Sequence, residues 1–272
     1  MILQNLAMPD LAEAIEANFT EEMACFGRAR SQWELHKTPE LYWLYCGPGE
    51  LNGVLLASFA SDDDTYVHAY IDEMLDFFTS RHTSFDWTTG PSTRPAHLAS
   101  LLEAHRFVQV DQTVGMAVDL RALNERMHVN TKLTITEVEN LDALHTLCLV
   151  EQHGFGLSEE KGQRFYTTYA NAGFGKGLPW HHYIGWLNDT PVASASLLYH
   201  AGVAGIYGIS TIPAARRQGV ATTMTLHALR EARTTGYRVA VLSPTDMSEA
   251  LYRRIGFQTY CTLVHYEWVL GD

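Results

Sequence analysis

The chain lacks several things that would otherwise set its class. No apolar run approaches the length of a membrane span, so a membrane role is not expected. The opening Met1-Ile2-Leu3-Gln4-Asn5 has neither the basic region nor the long apolar segment of a secretory leader. Positive charge is short: Lys and Arg total 19 against 31 Asp and Glu, a formal net charge of −12. Neutralising nucleic-acid phosphates needs a basic face, so a nucleic-acid partner is excluded, whereas an acidic surface concentrates cationic small molecules. The four cysteines, Cys25, Cys46, Cys148 and Cys261, are scattered in apolar surroundings and form neither a disulfide framework nor a nucleophile setting. A cytoplasmic protein with reduced thiols is the expectation. There is no Gly-x-Gly-x-x-Gly, and Gly173-Phe174-Gly175-Lys176-Gly177-Leu178 has no Ser or Thr after its lysine, which removes the dinucleotide and P-loop readings. His181 and His182, adjacent on a strand, face opposite sides and cannot readily share an ion, so no metal is expected.

What is present starts with a turn. Val203 to Ile212 reads as a buried strand, Arg216-Arg217-Gln218-Gly219-Val220-Ala221 as a turn, and Gly219 to Thr235 as a helix whose apolar stripe is Val220, Ala221, Met224, Ala228, Leu229 and Ala232. Such a turn aims several free N–H groups at one spot, and the helix dipole adds positive character there, which suits a pyrophosphate. Gly236 sits where a helix ends, Val239 to Leu242 reads as a buried parallel strand, and a short helix carries Ala250 to Phe257 with the string Leu251-Tyr252, then Gly256-Phe257.

This order of strand, basic-glycine turn, helix, strand and Leu-Tyr-x-x-x-Gly-Phe helix resembles the Gcn5-related N-acetyltransferase (GNAT) family, most clearly over residues 182–257. The resemblance implies a mixed α/β fold and acetyl-CoA as co-substrate. It implies that the backbone of Ile209, Ser210 and Thr211 lines the pantetheine and acetyl carbonyl, and that the amides of Arg217, Gln218, Gly219, Val220, Ala221 and Thr222 hold the pyrophosphate. Tyr252 matches the motif tyrosine that protonates the departing thiolate. A tyrosine of pKa about 10 is a credible acid toward a thiolate whose conjugate acid lies near 8.5. Two departures matter: Thr245 stands where many relatives have Asn, and the strand Val239 to Leu242 carries no glutamate base. Glu151, His153, His200 or a water chain stay open as the base.

The chain also repeats itself faintly. Leu101 to Phe107 answers Leu251 to Phe257, and a hairpin from Leu41 to Phe59 answers one from Tyr183 to Tyr199. Two GNAT-like mixed-sheet domains in tandem are expected, residues 1–127 and 128–272, with Arg121 to Asn130 as linker and the C-terminal copy complete. In the first copy Ser61-Asp62-Asp63-Asp64-Thr65 runs straight to a helix at Ile71 to Thr79, so the central strand and the basic turn are both expected to be missing and that copy to be degenerate. The helices Asn140 to Gln152 and Ser158 to Ala172 are expected to shape the acceptor cleft. The expected activity is transfer of acetyl from acetyl-CoA to a small-molecule amine by direct attack. The alternatives are a non-catalytic acyl-CoA-binding or sensing module and a transferase using a different acyl-CoA. The acceptor and the oligomeric state, a homodimer included, are left open.

Overall fold

The computed structural model describes residues 2–271, so the outermost ends of both expected domains, Met1 and Asp272, lie outside the described residues. In chain order the elements are α1 (Asp10–Gly27), β1 (Glu34–Lys37), β2 (Leu41–Tyr45), β3 (Gly53–Ala57), α2 (Asp64–Thr79), β4 (Phe85–Thr89), α3 (Leu98–Ala104), β5 (Val108–Asp119), β6 (Thr134–Glu137), α4 (Leu141–Phe155), α5 (Glu159–Ala172), β7 (Trp180–Leu187), β8 (Thr190–His200), β9 (Val203–Thr211), a 3-10 turn (Pro213–Ala215), α6 (Val220–Thr234), β10 (Val239–Leu242), α7 (Glu249–Ile255) and β11 (Gln258–Trp268). The fold class is α/β with mixed sheets. Contacts divide the chain into two compact units. One takes residues up to Phe19 and Met116–Tyr260, the other Thr20–Gly115 and residues from Cys261 onward.

The unit built mainly from the N-terminal half carries the strand order β1-β2-β3-β4-β11. Its core is aromatic: Phe78 stacks on Phe85 with centroids 4.1 Å apart, and Phe107 meets Phe85 and Trp87 edge-on. Val67, Ile71, Met74 and Phe78 of α2 recur at helical spacing and are buried against this sheet. The helix begins at Asp64, seven residues before Ile71, because the Asp63 carboxylate accepts the Tyr66 N–H and caps it.

One expectation fails here. The central strand is not missing: β3 pairs antiparallel with β2 and also parallel with β4, through Gly53↔Asp86 and Val54↔Trp87. Further along, the space between these parallel strands is closed by main chain. The Arg94 N–H donates to the Ala57 carbonyl, and the Phe59 N–H to that of Arg94. No basic turn precedes α2, and the Ala60 amide is taken by the Glu40 carboxylate.

The other unit carries the order β5-β10-β9-β8-β7-β6. The end of β5 lies antiparallel to β10, Val118 opposite Ala240, and is fastened by a two-pronged contact of Arg238 with Asp119 at 2.6 Å, which holds the Asp119 carboxyl below its usual range. β10 and β9 are parallel, and β9, β8, β7 and β6 follow as an antiparallel meander. The last strand, β11, meanwhile runs antiparallel to β4 from Val264↔Thr89 to Trp268↔Phe85. The strand closing each half of the sequence therefore ends in the sheet of the other unit.

Asn18 on α1 is fully buried. Its Nδ2 donates to the carbonyls of Leu198 (3.3 Å) and His200 (3.1 Å), and its Oδ1 accepts the Tyr207 hydroxyl at 2.7 Å. Gly205 is obligatory opposite it, since a Cβ there would collide with Oδ1. Asn18→Ala removes three hydrogen bonds made by a buried side chain, and is expected to lower the unfolding free energy by about 2–4 kcal/mol in urea titration; a loss within 0.5 kcal/mol, on the order of an ordinary surface change, would contradict this.

Candidate active site

β9 and β10 run side by side only briefly. Their pairs are Ala204↔Ala240 and Gly205↔Val241, after which β9 continues to Thr211 with no β10 partner. The separation coincides with a bulge: the β8–β9 register shifts between Ser194 and Ser196, and Gly208 sits in β9 with φ +57°. The Ser194 hydroxyl fixes this bend by donating to the Gly208 carbonyl (2.7 Å), with Ser210 Oγ 3.0 Å away. Ser210 Oγ in turn donates to the Val150 carbonyl of α4 at 3.3 Å. Of the three strand residues expected to line the cleft, Ser210 is buried, with its side chain turned to this network, and Ile209 and Thr211 are half-buried.

Past Thr211 the chain makes the 3-10 turn and reaches α6. Arg217 (φ +62°) and Gly219 (φ +76°) both lie in the left-handed region, and Gly219 is the N-cap, offering no side chain to the helix. Among the described residues, no protein group accepts the N–H of Gln218, Gly219, Val220, Ala221 or Thr222. Backbone of alternating hand with several free N–H groups at a helix start is an anion receptor. The two turn arginines differ in employment. Both are exposed, but Arg216 is tied down, with Nε donating to the Thr211 carbonyl (3.1 Å) and NH2 to that of Gly154 (2.7 Å).

The segment between β5 and β6 contributes something that sequence reasoning missed. The Asn130 N–H donates to Thr223 Oγ1 (2.8 Å) and its Nδ2 to the Gln218 carbonyl (3.0 Å), bracing the turn from behind. A Cβ on Gly219 would stand 3.1 Å from His128 Cδ2 and 3.3 Å from the Asn130 amide nitrogen, a tight fit, and the positive φ is what favours glycine there.

Tyr252 lies on α7, 6% exposed, with its ring edge-on to Phe257. Burial pushes its hydroxyl up to about 12, opposed in part by a hydrogen bond with Ser248. It is thus a weaker acid than the unperturbed tyrosine assumed from sequence. Thr245 is occupied locally, its hydroxyl 3.0 Å from Ser248 Oγ. Of the open base candidates, His153 and His200 are exposed, and His200 pairs with Val203 at the far end of β9 from the bulge; Glu151 is buried beside it. His181 and His182 do face opposite ways, His181 to Glu137 (2.7 Å) and His182 inward to Ser196 Oγ (2.7 Å). Cys148 is buried, and that burial together with the negative Glu151 keeps its thiol protonated.

Residues 141–257 match the model of the acetyltransferase (GNAT) family, a span that contains the bulge, the turn and Tyr252. This match supports a transferase. Several solved structures share the fold. A GCN5-related N-acetyltransferase from Kribbella flavida superposes with a TM-score of 0.71 at 20% identity, covering 98% of both chains. A tandem GNAT protein from the clavulanic acid biosynthesis pathway gives 0.65 at 11% identity, covering 97% of this chain and 98% of that one. A GCN5-related N-acetyltransferase from Sphaerobacter thermophilus gives 0.60 at 16%, covering 76% and 69%. No curated protein matches the chain. Among the described residues, no helix is long and apolar enough to cross a membrane.

Proposed function

We propose that the protein transfers acetyl from acetyl-CoA to the amine of a small, cationic molecule by direct attack, in the cytoplasm. The observation that carries this is the set of unclaimed N–H groups at the start of α6, standing at the end of a strand that has parted from its neighbour. On this reading the amides of Arg217 to Thr222 hold the pyrophosphate and the pantetheine lies along Ile209, Ser210 and Thr211, where β9 has unpaired backbone to offer it. Residues 128–272 supply this site. Residues 1–127 supply none, because Arg94 closes the equivalent space between β3 and β4 and carboxylates cap what would be the anion turn.

The chemistry divides accordingly. Cys148 is held as a thiol and does not offer the thiolate that a covalent acyl-enzyme would need, which supports attack of the amine on the thioester itself. Tyr252 is neutral throughout the working range. Its part is a hydrogen bond donated to the sulfur as charge develops there. The deciding experiment is thiol release from acetyl-CoA across a panel of polyamines, amino sugars and amino-acid amides. Coenzyme binding without release would make the protein a sensor, and release only from a longer acyl-CoA would change the donor.

Val220→Pro deletes one of the free N–H groups at the first helical position, where proline is tolerated. Acetyl-CoA binding by calorimetry is expected to weaken about tenfold, or about 1.4 kcal/mol, with the helix content retained; unchanged affinity would remove the amides of this turn from the coenzyme site. Tyr252→Phe should lower kcat by about 10²-fold with coenzyme affinity near normal, and the wild-type rate should show no alkaline loss from Tyr252 below about pH 11. Full turnover in the variant would leave the hydroxyl without a role. Titration with a non-hydrolysable acetyl-CoA analogue should saturate at one equivalent per chain, and two would restore a coenzyme site to the N-terminal half.

A further inference from the structure

Glu151 keeps only 2% of its surface exposed. It belongs to the buried stripe of α4 with Leu144, Leu147 and Cys148, where a leucine would serve packing and a carboxylate carries a desolvation cost. Its position is fixed on the strand side. A Cβ on Gly208 would collide with Glu151 Oε1, so the carboxylate occupies the volume that any other residue at the bulge would fill. The last turn of α4 is braced by the same site it faces, since Ser210 Oγ donates to the Val150 carbonyl and Arg216 to that of Gly154. Movement of the carboxylate relative to β9 and the α6 turn is thereby restricted.

We propose that Glu151 is the base that receives the proton of the acceptor ammonium at the Gly208 bulge, an assignment that rests on the acetyl-transfer reading above. The carboxylate takes one proton from R–NH3+. The freed lone pair forms the C–N bond as the C–S bond breaks, the second ammonium proton goes to the departing sulfur to give the thiol, and Glu151 returns its proton to water. Other ionisable groups on the packed elements are poor substitutes. His182 on β7 is neutral with its pKa pushed down to about 3 by burial, the Cys148 thiol is held protonated, and Arg216 is committed to two carbonyls. The Tyr207 hydroxyl on β9 is engaged with Asn18, and Tyr169 on α5 is a phenol.

The test is Glu151→Gln in the full chain, assayed with the alkylamine that gives the fastest wild-type thiol release. At pH 7 kcat/KM should fall about 10²- to 10⁴-fold, with acetyl-CoA affinity unchanged by calorimetry. The deficit should shrink about tenfold per pH unit as the pH approaches the amine's own pKa of roughly 10, because free amine needs no base. Glu151→Asp keeps a carboxylate and should retain the wild-type pH dependence at a lower rate, which serves if Glu151→Gln does not fold. Wild-type turnover in Glu151→Gln at pH 7, a deficit that is constant with pH, or an Asp variant with a steep pH dependence would each overturn the assignment while acetyl transfer by the wild type stands. Absence of coenzyme binding and thiol release in the wild type would instead remove the reading beneath it.

Discussion

The constraint on which the site depends is the brevity of the parallel pairing between β9 and β10, two residue pairs and no more. Parallel strands usually continue together because each unpaired backbone group in a protein interior costs free energy comparable to a lost hydrogen bond. Here a bulge at Gly208, pinned by Ser194, turns β9 aside after Gly205 and leaves its far end without a strand partner. Everything that follows is placed by that divergence. The strand delivers the chain to the 3-10 turn, Arg216 ties the turn back to Thr211 and to the end of α4, and the opening amides of α6 are left unclaimed.

The N-terminal unit shows what the same arrangement does when the gap is closed. There β3 and β4 are also parallel over two pairs, but Arg94 bonds through its main chain to Ala57 and Phe59, and Asp63 caps the helix that follows. A backbone bridge and a carboxylate N-cap leave this unit self-satisfied where the other leaves amides unclaimed. The net interactions involved are of ordinary size, on the order of 1 kcal/mol each, so the difference between the units is one of which groups are left available rather than of fold.

The C-terminal turn was legible in the sequence because glycine, helical spacing and strand length are all local signals: α6, β9, β10 and the starts of α4 and α5 fall within a residue of where those signals put them. The central strand of the N-terminal unit was not. Gly53–Ala57 reads correctly as a hairpin arm, but a strand has two edges, and side-chain alternation reports its faces and says nothing about what the second edge pairs with. For the same reason nothing in Val108–Asp119 or Gln258–Trp268 indicates that these strands finish beside β10 and β4. Glu151 did leave a trace, since a glutamate in register with Leu144, Leu147 and Cys148 breaks an apolar stripe. Its meeting with Gly208 depended on tertiary packing.

The features on which the proposed anion role rests also carry a cost. Arg217 holds a left-handed backbone that a non-glycine residue adopts at about 1 kcal/mol or more, and α6 starts without the side-chain cap that typically contributes about 1 kcal/mol. Asn130 and Thr223 brace the carbonyl side of the turn, at Gln218 and Gly219, while leaving the N–H side open. A ligand that binds only the folded state offsets such costs by mass action, about 2.7 kcal/mol at a hundredfold excess over its dissociation constant. With the carbonyls satisfied from behind and the amides presented forward, an anion bound there as proposed would need little further ordering of backbone.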